Sequence, residues 1–196
     1  ITFMIMSVSW VMNAQETRYY DASKLTVIGK AIPTSKDFTR IDTSAYRFND
    51  SVIEEYACHS TGLAVLFATD SPFIKARWQT SGKNASGNMT AIAQKGLDLY
   101  IRQNGEWVFA GVGRPMMSKG PEYASHESTI VKAMAPGRKE CLLYLPLYDR
   151  LDSLFIGVDD KSYIEPIDNP FRHRIVIKGS SVTYGLAASR PGMSYA

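Results

Sequence analysis

Two serines near the end of the chain lie in a turn of a kind that supports acyl-transfer chemistry. Gly179-Ser180-Ser181 follows the apolar run Ile175-Val176-Ile177, and Gly185 comes shortly afterwards. A serine at the end of a strand can attack an acyl carbonyl when nearby backbone N–H groups stabilise the resulting oxyanion. Glycine on either side gives the backbone the freedom that a tight turn requires. The pattern predicts Ser181 as a candidate nucleophile, while an ordinary turn without chemistry explains the same residues.

Two other motifs with similar residues fail on their spacing. A phosphate-binding loop reads G-x-x-x-x-G-K-[ST], but here five residues separate Gly179 from Gly185, and Leu186 stands where the lysine should be. The nucleophile elbow of α/β-hydrolases reads G-x-S-x-G, but position 183 is Thr183. Neither motif therefore explains the serine turn.

The segments that must position this turn mostly have sequence patterns typical of β-strands. Short apolar or alternating segments are separated by turn residues such as Asn104-Gly105, which predicts a hairpin. No long segment between residues 40 and 165 has the helical period of about 3.6 residues. The predicted fold class is mainly β, an antiparallel β-sandwich or jelly roll. The predicted strands are Glu54–His59, Leu63–Thr69, Phe73–Trp78, Leu97–Arg102, Trp107–Gly111, Ser128–Ala133, Cys141–Leu145 and Ser153–Val158.

The composition changes after the last of these strands and divides the chain. Residues 25–163 form the predicted sandwich, and residues 164–172, which contain Pro166 and Pro170, a linker. Arg174–Lys178 is then a predicted strand that enters the serine turn, so residues 173–196 begin a second domain. A parallel strand needs neighbouring strands and covering helices. We therefore expect the rest of that second domain to follow Ala196.

Composition and charge narrow the class of protein. A chain of 196 residues that is 45% hydrophobic can bury one good core. Its 22 basic and 19 acidic residues are mixed along the sequence, so nucleic acid is not an expected partner. Residues 1–15 carry no charge and are too few to span a bilayer, which takes about 20 apolar residues. Residues 1–14 predict a signal peptide, and thus a periplasmic or extracellular protein, with a buried first strand as the alternative.

The cysteines and histidines form no recognisable metal or catalytic pattern. Cys58 and Cys141 lack a spacing motif and are interpreted as small buried apolar residues, with a disulfide between them as the alternative. His59, His126 and His173 all precede the serine turn, and none belongs to an Asp-x-x-His sequence, so we interpret them as structural or surface residues. We expect no metal and no organic cofactor.

The serine turn resembles the first conserved block of the SGNH, or GDSL-type, hydrolases. Gly179–Gly185, with the sequence GSSVTYG, is similar to the variant of that block that reads Gly-Ser/Thr-Ser-Ile/Val-Thr, and Ala188–Gly192 continues the match. Far upstream, Gly96–Tyr100, with the sequence GLDLY, is similar to the Gly-x-Asp-Leu-Tyr signature of a β-sandwich domain that precedes the hydrolase domain in one branch of that superfamily. The resemblance covers roughly residues 25–196. Three further segments fit the same domain in the same order: Thr69–Pro72, Tyr144–Tyr148 and Ile156–Val158.

The resemblance implies an exported bacterial serine esterase that removes acetyl or other short acyl groups from carbohydrate. Residues 173–196 would then be the first part of an α/β, flavodoxin-like domain. Ser181 would be the nucleophile, with its backbone N–H as one oxyanion donor, and Ser180 would occupy the Asp position of Gly-Asp-Ser, a departure that this branch shares. A serine nucleophile needs a positioned general base. In such enzymes that Asp-x-x-His pair and the other oxyanion donors, a Gly and an Asn, lie further along, so this sequence alone is predicted to be inactive. The candidate substrate-binding residues are Gly179, Ser180, Thr183, Gly185 and Arg190.

Several polar and aromatic side chains have two interpretations each. Asp98 alternates with Leu97 and Leu99, so it should point away from the core, toward a sugar, the hydrolase domain or a local Arg or Lys. Arg190 either reaches an acidic group near the active site or holds its own loop by bonds to carbonyls. The alternative function is a non-catalytic carbohydrate-binding or interaction module. The aromatic residues that either stack on sugar rings or belong to the core are Trp78, Trp107, Tyr144 and Tyr148.

Overall fold

The structure is a computed structural model, and it describes residues 16–82, 87–116 and 124–195. The predicted signal peptide, residues 1–14, lies outside the described residues. No helix in the described part of the chain is both long and apolar enough to cross a membrane.

The described residues form two antiparallel sheets, which confirms the predicted mainly β class. The four-stranded sheet has the order β1-β9-β4-β7, and the six-stranded sheet has the order β10-β3-β8-β5-β6, with β2 also paired to β3. All the strand pairs are antiparallel. The strands are β1 Thr17–Asp21, β2 Thr26–Ile28, β3 Ala64–Thr69, β4 Ile74–Thr80, β5 Leu97–Gln103, β6 Glu106–Gly113, β7 Ser125–Val131, β8 Lys139–Tyr144, β9 Leu151–Asp159 and β10 Ile164–Pro166.

The main core lies between the two sheets, and alternation along the strands explains its composition. Leu97, Leu99 and Ile101 of β5 pack inward with residues of β3, β4 and β9. The buried Trp78 joins this core and donates its Nε1–H to the carbonyl of Lys95, so it is a core aromatic residue. Burial of this apolar surface is the main term that stabilises a sandwich of this size.

A second, smaller apolar cluster covers the opposite face of the six-stranded sheet. We call it the outer cluster. Its buried centre is Ala64, Leu66 and Leu142, so that β3 is buried on both faces along its whole length. Partly buried residues packed against this centre include Ile28, Tyr100, Trp107, Tyr144 and Ile167. Tyr144 and Trp107, two of the candidate sugar-stacking residues, therefore pack within this cluster.

In the described part of the chain, two short α-helices lie outside the sheets, and one of them replaces a predicted strand. Residues Glu54–His59 were expected to be extended, but α1 spans Ser51–Ala57. The side chain of Asp50 accepts hydrogen bonds from the N–H groups of Val52 and Ile53, which satisfies two donors of the first turn and favours the helix. The second helix, α2, spans Ala91–Lys95 and is capped by Thr90.

The strands at the two ends of the sandwich reach beyond the predicted boundaries. β1 begins at Thr17, ahead of residue 25, and pairs with β9. β10, Ile164–Pro166, lies in the predicted linker and pairs with the edge of β3. Proline is tolerated there because an edge strand does not need every N–H for pairing.

The predicted strand Arg174–Lys178 is wrong. Residues 167–179 have no regular secondary structure, and Ile175 is 80% exposed. A single segment of this kind cannot form a ladder without a neighbouring strand, and the described residues place none beside it.

Candidate active site

The serine turn, Gly179–Gly185, is a compact series of turns, and its first hydrogen-bonded turn begins at Ser180. The N–H of Tyr184 donates to the carbonyl of Ser180 at 3.1 Å, and the N–H of Leu186 donates to that of Ser181 at 2.9 Å. Ser181 itself is exposed. Among the described residues, no acceptor binds its N–H group or its hydroxyl hydrogen. The turn thus presents a serine hydroxyl and an adjacent backbone donor to solvent.

Two features of this turn favour glycine at position 185. Gly185 has a φ of +96°, a conformation that side chains with a Cβ rarely adopt. It is buried against Leu147, and a Cβ at this position would lie only 2.8 Å from Leu147 Cδ1. Gly185 therefore allows the backbone conformation of the turn and the close packing of the turn against the sandwich.

Thr183 and Gly179 contact each other within the turn. A Cβ at Gly179 would lie 2.8 Å from the Cβ of Thr183 and closer still to its hydroxyl. Two of the five residues predicted as substrate-binding candidates thus pack together at the start of the turn, beside the exposed Ser180.

Aromatic residues of the sandwich contact Tyr184 and the backbone of the serine turn. We call Tyr56, His59, Tyr148 and Tyr184 the tyrosine cluster. The Tyr148 hydroxyl donates to the Ser181 carbonyl at 3.1 Å, and the Tyr184 hydroxyl donates to the Tyr56 carbonyl at 2.8 Å. The rings of Tyr148 and Tyr184 are 4.6 Å apart and edge-to-face. Two of these contacts therefore join the turn to α1 and to the loop after β8.

Burial within the tyrosine cluster changes its electrostatics. The pKa of Tyr184 rises to about 12, mainly because burial disfavours the phenolate. The guanidinium of Arg40 lies 4.5 Å from the centre of the same ring, a cation–π contact. The Tyr184 hydroxyl therefore stays protonated and continues to donate to Tyr56 throughout the physiological pH range.

A second attachment joins β5 to the segment after the turn. Asp98 Oδ2 accepts from Arg190 Nη1 at 3.0 Å and from the Gly192 N–H at 2.9 Å. Arg190 Nη1 also donates to the Tyr100 hydroxyl at 2.8 Å, and its guanidinium lies over the Phe109 ring at 4.2 Å. The side chain of Asp98 is fully buried, and this burial raises the pKa of its carboxyl group. Its other oxygen, Oδ1, has no hydrogen-bond partner among the described residues.

These contacts decide between the interpretations of Asp98 and Arg190. Asp98 does point away from the main core, but it is covered by the segment 189–193. Arg190 reaches an acidic group, and that group is supplied by the sandwich, 92 positions earlier in the sequence. The segment 189–193 is also bound by Thr90, the cap of α2, whose hydroxyl donates to the Ser189 carbonyl at 2.7 Å.

Sequence reasoning did not identify Thr90, Tyr56 or His59 as neighbours of the serine turn. Nothing in their local sequence signals a contact that spans about a hundred residues or more. Tyr148 was considered only as a core or sugar-stacking residue, whereas it binds the Ser181 carbonyl.

The contacts described above for the serine turn involve neither the remaining histidines nor the cysteines. His126 is buried beside β4, and His173 is exposed. Cys141 is buried in β8, where burial raises its pKa to about 12, and Cys58 ends α1; both are free thiols, so the alternative of a disulfide does not hold. In residues 16–82, 87–116 and 124–195, no three His, Cys, Asp or Glu side chains form a group that could hold a metal ion.

The fold defines a class of protein, an antiparallel β-sandwich with an exposed serine turn packed against it. Comparison with protein families identifies the sandwich. The model described as "GxDLY: N-terminus of Esterase_SGNH_hydro-type" matches residues 17–164. The chain therefore belongs to the family of N-terminal domains of SGNH hydrolase-type esterases.

One solved structure supports the same relationship, and a second shares the fold. A candidate GDSL-like lipase from Bacteroides ovatus is 44% identical to this chain with a TM-score of 0.85. The match covers 92% of this chain and 52% of that protein, so the chain spans about half of its length. Salicylyl-acyltransferase SsfX3, from a tetracycline biosynthetic pathway, is 18% identical with a TM-score of 0.51 over 78% of this chain and 42% of its own, and shares the fold. Among curated proteins, none gives a significant match.

Proposed function

We propose that the chain is the N-terminal part of an exported bacterial serine esterase that removes acyl groups from carbohydrate, with Ser181 as the nucleophile. The observation that carries this proposal is the exposed Ser181 on a turn that the sandwich of an esterase family holds in place. The proposed role of the Ser181 N–H as an oxyanion donor is supported by its having no hydrogen-bond acceptor among the described residues, which leaves it able to bind an oxyanion.

The proposed reaction is a double displacement. Ser181 Oγ attacks the ester carbonyl, and a general base takes the hydroxyl proton as the new C–O bond forms. The tetrahedral intermediate expels the sugar alcohol, which receives that proton. Water then attacks the acyl-serine in the same way, releases the acid and restores the hydroxyl. In the proposal the base is the histidine of an Asp-x-x-His sequence beyond residue 196.

A fluorophosphonate probe tests the nucleophile in the intact protein. We expect the probe to label the wild type, Ser181→Ala to abolish labelling, and Ser189→Ala to be labelled normally. Ser189 is a suitable control because it is an exposed serine of the same segment and contacts the sandwich through its carbonyl. A wild type that is not labelled but binds polysaccharide would instead support a non-catalytic carbohydrate-binding module.

The substrate class and the location need separate tests. Rates on acetylated glycans and on long-chain esters, compared at equal protein concentration, should favour the acetylated glycans. A preference for long-chain esters would contradict the carbohydrate part of the proposal. N-terminal sequencing of the exported protein should find cleavage after Ala14, and an uncleaved protein in the cytoplasmic fraction would contradict export.

A further inference from the structure

We propose that Asp98 and Tyr100 are positioning residues, which hold the segment 189–193 through Arg190 and thereby fix the serine turn on the sandwich. The inference rests on the proposed function, because it assigns a role in placing Ser181. It also gives a physical reason for each residue of the Gly-x-Asp-Leu-Tyr sequence at 96–100.

The alternation of β5 separates two roles within that sequence. Leu97 and Leu99 face the main core, where both are fully buried. Asp98 and Tyr100 face the other way, toward the segment after the serine turn. Gly96 opens the strand at a place where a Cβ would lie 2.6 Å from the Ile92 carbonyl oxygen and 2.7 Å from that of Gly113. The glycine and the leucines therefore place the strand, and the aspartate and the tyrosine make the contact.

Both β5 and the segment 189–193 have residues that suit this contact. A Cβ at Gly192 would lie 2.6 Å from Tyr100 Cε2 and 2.9 Å from Asp98 Oδ2, so the segment comes this close only because residue 192 is glycine. The Gly192 N–H and Arg190 Nη1 share the same carboxylate oxygen. The Pro191–Met193 turn of 3-10 helix lies between these contacts and fixes the spacing.

The buried charge of Asp98 favours a role in positioning the segment 189–193 over a role in stabilising the folded chain. Its side chain is fully buried, whereas that of its partner Arg190 is 24% exposed. Replacing a buried ion pair by apolar residues is often neutral or stabilising, so such a pair is weak evidence for a stabilising role. A charge-assisted pair does set direction and distance, because its hydrogen bonds tolerate little displacement.

The segment 181–190 is short and internally bonded, so it can transmit the position of Arg190 to Ser181. The Leu186 N–H donates to the Ser181 carbonyl, and the Ala188 N–H donates to that of Gly185 at 3.0 Å. With Tyr148 on the Ser181 carbonyl at one end and Asp98 on Arg190 at the other, the turn is held at both ends. Misplacement of a reacting group by about 1 Å can reduce a rate by about a hundredfold.

The test uses the intact protein with the substitutions Asp98→Asn and Tyr100→Phe. We expect the fluorophosphonate labelling rate and kcat to fall by about tenfold or more, while KM changes less than twofold and Tm does not fall in proportion. The matched control is Glu140→Gln, which disrupts the ion pairs to Arg102 and Arg138 on the same sheet without touching the segment 189–193. Labelling of both variants within twofold of wild type would overturn the inference.

A double-mutant cycle and one earlier variant separate the possible failures. Asp98→Asn and Arg190→Gln should be strongly non-additive in the labelling rate, because they remove one shared contact. If Asp98→Asn does not fold, Tyr100→Phe decides, since it removes only a hydroxyl group. Labelling that persists in Ser181→Ala would refute the proposed function, whereas labelling of Ser181 that ignores Asp98 and Tyr100 would refute only their positioning role.

Discussion

Acid should destabilise the sandwich through one buried histidine, His126, and the size of the effect can be worked from its contacts. Its Nδ1 accepts from the Met116 N–H at 3.1 Å, and its Nε2 lies 3.1 Å from the Thr80 hydroxyl. A proton on Nδ1 would face the Met116 N–H and break that bond. Burial, and next the charge of Lys95, lower the pKa of His126 to about 4, while Asp149 acts in the opposite direction.

The pKa values of the folded and unfolded chain set the pH range and the magnitude. Below pH 6.5, the ordinary value, the unfolded chain binds a proton that the folded chain binds only near pH 4. The contribution of His126 to stability is therefore fully present near neutral pH and is lost as the pH falls from 6.5 to 4. Since one pKa unit corresponds to about 1.4 kcal/mol, the loss between pH 7.5 and pH 4 is about 3 kcal/mol.

Denaturant unfolding of wild type and His126→Asn, followed from pH 7.5 to pH 4, measures this loss. The asparagine oxygen can still accept from Met116 but has no proton to take up. We expect a lower stability for the variant at pH 7.5, and a difference from wild type that shrinks by about 3 kcal/mol at pH 4. Parallel profiles would refute the burial argument, as would an equal change in His173→Asn, which removes an exposed histidine.

Three further predictions concern the packing of the chain. Gly185→Ala should lower the free energy of unfolding by about 1–3 kcal/mol in thermal melts, from its positive φ and its contact with Leu147; an unchanged melt would contradict that geometry. Breaking the buried Lys95–Asp149 ion pair by Lys95→Met should cost about 3–5 kcal/mol, and adding Asp149→Leu should recover much of it; additive losses would contradict this. In the native chain iodoacetamide should modify Cys58 before the buried Cys141, and equal rates would mean that β8 opens.

The sandwich could be predicted from the sequence wherever one face of a strand meets the core and the other does not. Leu97–Arg102 alternates strictly, and β5 is found at Leu97–Gln103. The short edge strands β2 and β10, of three residues each, are stabilised by pairing with β3. No local sequence pattern predicts this pairing. The segment Glu54–His59 carries apolar residues that suit a strand or one helical turn, and the Asp50 cap decides for the helix.

In the candidate site too, the local features could be predicted from the sequence and the non-local contacts could not. The serine turn is local, so its residues are visible in the sequence as a block. Its supports are not local, because Tyr56, Thr90, Asp98 and Tyr148 come from four separate parts of the sandwich. Arg174–Lys178 shows the reverse case, where a sequence with the composition of a strand forms no ladder.

The order of the serine turn therefore comes from the sandwich and not from the segment that leads into it. Residues 171–180 are exposed, so they contribute little packing that could fix the turn. The residues after Ser181 instead include Gly185, buried against Leu147, and Pro191, buried between the two residues that Asp98 binds. A turn held in this way depends on a β-sandwich for the position of Ser181, the proposed nucleophile. Substitutions of Asp98 in β5 should consequently change the reactivity of a serine more than 80 positions away, because Asp98 binds the segment that follows that serine.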